Sequence, residues 1–233
     1  MIYGIICAMD EELAILKSNL DNEISKQVGH TEFFGGSIFG QAVIIVQSGI
    51  GKVQAGITAS ILINEFEVDA LINSGSAGGI GEGLSVGEVV VSSQTAYHDV
   101  DVTASGYEVG QLPGLPARFD ADPELVDEIM AAAKASGMES QKGLIVSGDQ
   151  FIADSKKIAT IKNNFPDAMC CEMEGAAIGQ VAYENGIPYA VIRAMSDVGD
   201  EDADQSFDEF IIDAGKRSGQ MLLNLFQEQS SRK

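Results

Sequence analysis

The chain has 233 residues, 45% of them hydrophobic, and a formal net charge of −21. That length and apolar share suit one α/β domain over 1–233 with a full core, and no apolar run reaches the roughly 18 residues of a membrane span. The charge argues against nucleic acid and acidic membranes as partners, and for a small neutral or zwitterionic ligand.

The chain opens with an apolar run, Ile2 to Met9, bounded by Asp10, Glu11 and Glu12. It lacks a basic leader, so no signal peptide is expected, and it reads as a buried strand feeding a helix. Asp10 is expected to cap that helix, with Leu13, Leu16 and Leu20 facing inward. Phe33 to Gly40 and Ala42 to Gln47 read as paired strands. Gly49 and Gly51 then start a helix with Val53, Ile57 and Ile61 on one face. Asp69 to Asn73 is a short strand ending in a glycine-rich turn, Gly75-Ser76-Ala77-Gly78-Gly79.

Glu88 to Ser92 is the next strand. The polar connection from Tyr97 to Arg118 is too long for a passive turn and needs a job. A helix follows Pro123, and a strand, Gly143 to Val146, ends in Ser147-Gly148-Asp149. Ala168 to Cys171 is a strand before a helix from Glu174. Tyr189 to Met195 is a strand ending at Ser196-Asp197. The last helix carries Phe207, Phe210, Ile211, Ala214, Met221, Leu222 and Leu225 as a helical stripe. Strands alternating with helices predict a three-layer α/β sandwich with a mixed central sheet.

Cys7, Cys170 and Cys171 are an odd count with two adjacent, and read as reduced core thiols of a cytoplasmic protein. With two histidines and no CxxC pair, no metal site is expected. Seven acids between Asp200 and Asp213 read as solvated surface, with adaptation to salt or cold as the other reading.

In such folds ligands gather at the carboxyl ends of strands. Here those ends carry Met9 to Glu12, Ser48 to Gly51, Asn73 to Ser76, Phe151-Ile152, Met173-Glu174 and Ser196-Asp197. Three carboxylates, Glu12, Glu174 and Asp197, can converge on one cleft. Each also has a plain reading: helix N-terminal charge for the two glutamates, turn or cap for the aspartate. The glycine turns fit neither GxGxxG nor the P-loop, and Lys52 after Gly51 is at the wrong spacing. Tight strand-to-helix packing and close approach to a flat ligand both stay open for them.

The segments GIICAMDEE (4–12), SGIGKV (48–53), NSGSAGG (73–79), YHDVDVTASGYEVGQLPG (97–114), GLIVSGDQFI (143–152), CEMEGAAI (171–178) and RAMSDVGD (193–200) resemble the 5′-methylthioadenosine/S-adenosylhomocysteine nucleosidases of the nucleoside phosphorylase superfamily, nearly end to end. The resemblance implies a homodimer without cofactor that hydrolyses an N-glycosidic bond to free adenine. Substrates would be methylthioadenosine, adenosylhomocysteine and 5′-deoxyadenosine. It implies Asp197 as proton donor at adenine N7, its pKa raised by burial among carboxylates. Glu174 would hold the ribose hydroxyls and Glu12 would activate water, with Ser76 and Arg193 holding the network. Phe151 would stack on adenine and Ile152 read its edge, beside Gly78 and Ser196. Met9 and Met173 would line the sugar; Ile50 and Phe207 would meet the 5′-thio group.

The connection 97–118 would close the partner's site through Val102, Ser105 and Pro113. Many family members have phenylalanine at position 105; Ser105 predicts weaker discrimination for the methylthio group, or more tolerance of polar 5′ groups. Three rivals stand beside this reading. A phosphorylase would need cations for phosphate, whereas the first strand end is acidic and Asn73 replaces an arginine of purine phosphorylases. An aminodeoxyfutalosine nucleosidase would use the same residues. A storage or binding protein would not need Glu12, Glu174 and Asp197 together.

Overall fold

A computed structural model describes residues 1–198 and 203–231. Asp200, Glu201 and Asp202 of the acidic run, and Gly199 and Asp200 of the last motif, lie outside the described residues.

The first strand, β1 (Tyr3–Cys7), is buried at all five positions. A continuous apolar run without alternation suits a strand covered on both faces. It lies between β4 (Gln41–Gln47) and β5 (Ala70–Gly79), parallel to both. Beyond β4 the sheet continues antiparallel through β3 (Thr31–Ile38) to the edge strand β2 (Asp21–Val28). Beyond β5 comes β10 (Tyr189–Asp197), parallel, then β6 (Val89–Tyr97), antiparallel. Parallel partners β8 (Ser140–Ser147) and β9 (Ala168–Glu172) follow. β9 pairs back onto β5 through Gly78–Cys171 and Gly79–Cys170, so five strands close into a ring. Two-residue β7 (Phe119–Asp120) adds to β6. The mixed central sheet expected from the sequence is therefore present, curled at one end until it meets itself.

Helices cover the sheet on both faces. The long α6 (Ala203–Ser231) packs on α1 (Asp10–Lys17), α3 (Pro123–Ala135), β5 and β10. On the other side α2 (Lys52–Phe66) packs on α5 (Gly175–Asn185) and on the β1–β4 pair. Asp122 caps α3 by accepting from the Leu125 amide at 2.8 Å, with Pro123 at the first helical position. A further helix, α4 (Ser155–Asn164), was not expected. All three cysteines are buried and unpaired as disulfides, and burial raises their thiol pKa values. Among the described residues, no helix is long and apolar enough to cross a membrane.

Four expectations change. Asp10 is the first residue of α1, and Met9 occupies the cap. The glycine segment Gly75 to Gly79 is the second half of β5, not a turn. The inner face of α2 is Ala55, Thr58, Ala59 and Leu62, while Val53 and Ile57 are 71% and 51% exposed. Small residues at Ala55, Thr58 and Ala59 let this end of α2 approach the sheet closely, and Val53 and Ile57 stay outside. Leu20 is only half-buried, past the end of α1, while Leu13 and Leu16 are core residues as expected.

Close approach also sets the α1–α6 contact that carries Glu12. A Cβ on Gly215 would meet the Glu11 carbonyl oxygen at 2.7 Å and the Glu12 Cα at 3.0 Å. Backbone cannot swing aside as a side chain can. Gly215→Ala is therefore expected to destabilise by about 1–3 kcal/mol, against a helix-propensity gain of about 1 kcal/mol. Urea denaturation measures the difference; a more stable variant would show that this contact has slack.

Candidate active site

Glu12 is 1% exposed at the third position of α1. Its Oε2 accepts from the amides of Ala8 (2.9 Å) and Met9 (3.2 Å), the second being the reach-back bond of a capping box at the helix start. Its Oε1 accepts from the Ser76 amide (2.8 Å) and hydroxyl (3.0 Å). One oxygen thus serves the start of α1 and the other ties Glu12 to β5.

Register explains the glycines of β5. Gly75 stands opposite Arg193 and Gly78 opposite Asp197 across the β5–β10 pairing. A Cβ on Gly75 would collide with the Arg193 guanidinium and lie 2.6 Å from Glu12 Oε1. On Gly78 it would lie 2.8 Å from Asp197 Oδ1. The strand is bare here because the side chains of Arg193, Glu12 and Asp197 fold across it. Asp197 is 1% exposed, and Ser196 Oγ donates to its Oδ2 at 2.9 Å.

Beneath these groups sits Arg193, 1% exposed. Its Nη2 donates to Glu172, to Asn73 Oδ1 and, at 3.3 Å, to Glu174 Oε2. Burial works against its charge, but the carboxylates of Glu172, Glu174 and Glu12 outweigh burial and hold its pKa above the ordinary arginine value. Glu174 is anchored at its other oxygen by the Gly51 amide at 2.8 Å. Its pKa is pushed up to about 7, chiefly by burial and further by Glu172 and Glu12, against the pull of Arg193 and the Gly51 amide.

One cleft is lined by Met9, Glu12, Ile50, Ser76, Gly78, Phe151, Ile152, Met173, Glu174, Ser196, Asp197 and Phe207. All twelve were singled out from the sequence. Phe151 is 44% exposed and meets Phe207 edge-on, ring centroids 5.5 Å apart. Arg193 underlies the cleft without lining it. Val102, Ser105 and Pro113 are not brought to it: Ser105 and Pro113 are exposed and Val102 half-buried on the 97–118 segment. Among the described residues, no group of three or more His, Cys, Asp or Glu side chains is placed so that it could hold a metal ion.

A model of the phosphorylase superfamily matches residues 2–227. A 5′-methylthioadenosine/S-adenosylhomocysteine nucleosidase of Actinobacillus succinogenes is 44% identical over 228 residues, 98% of this chain and 99% of that protein. The chain belongs to this nucleosidase family. The crystal structure of the S-adenosylhomocysteine nucleosidase of Streptococcus pyogenes with 5-methylthiotubericidin superposes with a TM-score of 0.95, at 44% identity, covering 98% of this chain and 97% of that one. The futalosine hydrolase of Helicobacter pylori superposes with a TM-score of 0.93 at 30% identity, covering 98% of each chain.

Sequence reasoning missed one carboxylate of this nucleosidase. Glu172 accepts from Arg193, from Ser147 Oγ and from the amides of Glu174 (3.1 Å) and Gly175 (2.8 Å). It thus takes the helix-cap role expected of Glu174, whose side chain makes no cap bond. The signal was the Glu-x-Glu spacing in CEMEG: one glutamate can cap while the other stays in the cleft. Ala8, Ala77, Gln150 and Cys171 also line the cleft and were not singled out.

The Glu174 shift has a stability consequence with a definite sign. Its folded pKa lies above the unfolded value of 4.5, so the folded chain keeps a proton that the unfolded chain releases. Its contribution therefore falls as pH rises from about 4.5 to about 7, by about 1.4 kcal/mol per unit, and levels off above that. Glu174→Gln lacks this titration, so the variant gains on the wild type between pH 5 and pH 7. Urea denaturation across that range reads the gap; parallel profiles would contradict the shift.

Proposed function

We propose that this chain hydrolyses the N-glycosidic bond of 5′-methylthioadenosine and S-adenosylhomocysteine, releasing adenine and the thioribose product. The observation that carries the reading is the gathering of Glu12, Glu174 and Asp197 on one cleft while Arg193, the nearby cation, is matched by Glu172 and Glu174. Breaking the bond builds positive charge on the sugar and negative charge on the base. Asp197 protonates the base at N7. Glu174 holds the ribose hydroxyls and faces the cationic sugar. Glu12, with Ser76 bonded to it, orients and deprotonates the attacking water. The two outer carboxyls act from opposite sides of the sugar, as in an inverting glycosidase.

Phe151 and Ile152 take the base, with Gly78 and Ser196 alongside. Met9 and Met173 line the sugar, and Ile50 and Phe207 meet the 5′ substituent. No cofactor takes part. The chain works as a cytoplasmic homodimer whose 97–118 segment closes the partner's site. The exposed apolar side chains Ile50, Val53 and Ile57 support a covered face at that place. Similarity to the futalosine hydrolase is the weaker one, and nothing in the cleft favours that substrate.

Asp197→Asn and Glu12→Gln should each lower adenine release from methylthioadenosine by about a hundredfold or more while the fold is kept. Wild-type turnover in both would refute the assigned roles. On the dimer reading, Ser105→Phe restores apolar contact at the 5′ end and raises kcat/KM for methylthioadenosine relative to adenosylhomocysteine. An unchanged ratio would remove Ser105 from the 5′ pocket.

A further inference from the structure

Lys52 looked like a stray phosphate-loop lysine in the sequence. Its surroundings give it a different task. Nζ lies 2.7 Å from both carboxylate oxygens of Asp99, and the two side chains are only 20% and 12% exposed. Asp99 Oδ2 in turn accepts from the Asp149 amide at 2.9 Å. The Asp149 carboxylate accepts from the Lys52 amide at 2.8 Å, and its other oxygen lies 3.9 Å from Nζ. The ammonium also stands over the Tyr97 ring, 5.2 Å from its centroid.

This small network joins three loops. Lys52 follows Gly51, whose amide holds Glu174. Asp99 is the third residue of the 97–118 segment. Asp149 stands two residues before Phe151 and three before Ile152. The packing is tight where the loops meet: a Cβ on Gly148 would run into the His98 ring. Burial pulls the Asp99 carboxyl up, but Lys52 and the Asp149 amide outweigh it and hold it below the ordinary aspartate range. Asp99 is therefore charged at neutral pH, and the Lys52 side chain is committed to carboxylates.

We propose that Lys52 is a positioning residue: through Asp99 and Asp149 it ties the loop that takes the base, 148–152, to the turn that anchors Glu174, 48–51. It touches neither base nor sugar. Its effect is on how well the base side of the cleft is set before substrate arrives, so it acts on binding more than on the chemical step. The inference rests on the reading that Phe151 and Ile152 take the base.

The test compares Lys52→Met, Asp99→Asn, the double variant, Lys52→Arg and Asp149→Ala with the wild-type protein. Calorimetry with adenine needs no turnover, and adenine binding by the wild type checks the base pocket itself. Lys52→Met should weaken adenine, and raise KM for methylthioadenosine, by about tenfold or more, with kcat within about threefold of wild type. The double variant should lose no more than the larger single loss, because both ends of one ion pair are removed. Lys52→Arg should restore most of the affinity. If Lys52→Met does not fold, Asp149→Ala, which keeps the Lys52–Asp99 pair, should show the same rise in KM at near-constant kcat. Adenine affinity within about twofold of wild type in folded variants, additive losses, or a fall in kcat at constant KM would each overturn the proposal.

Discussion

Arg193 carries its charge at the heart of the sheet, 1% exposed, and much of the site is arranged around that fact. A buried guanidinium must be matched by carboxylates, and stripping one partner from such a pair costs about 3–5 kcal/mol. Glu172, Glu174 and Asn73 supply the match. Room for the guanidinium comes from Gly75 on the neighbouring strand. Glu172 in turn bonds the first amides of α5, so the helix start, the ion pair and the floor of the cleft are one construction.

This arrangement decides which nucleophile the cleft suits. Four carboxyl groups, Glu12, Glu172, Glu174 and Asp197, line it, and the guanidinium beneath them is already paired. Lys52 is likewise committed to Asp99. A phosphate entering here would meet acidic groups in a poorly screened environment, where repulsion is stronger than in water. Water carries no such cost. Burial leaves Glu174 with a proton affinity near neutrality, so binding of a cationic sugar in the transition state would draw it toward its charged form.

Much of this was legible in the sequence where a physical pattern was strong. The apolar runs that became β1 and β10 leave little choice but buried strands. All twelve cleft residues singled out came from strand ends and a family resemblance. Other features left no such pattern. β2 is exposed at all but one position and, as an edge strand, pairs in the sheet with β3, so it shows no apolar alternation. Gly75 to Gly79 looked like a turn because glycine usually marks one, whereas its cause was the bulk of Arg193 and Asp197 one strand away. That cause is non-local. The role exchange between Glu172 and Glu174 was hidden for a related reason: both sit before the same helix, and the positions of Ser147 and Gly51, far away in sequence, tell them apart.

The central claim is that a cleft of matched charges delivers water, and not phosphate, to the sugar. The most direct measurement is the identity of the sugar product when methylthioadenosine is turned over in ¹⁸O-labelled water with excess phosphate, read by mass spectrometry. The account predicts free 5-methylthioribose carrying the label. Formation of its 1-phosphate, without label at the anomeric oxygen, would contradict it.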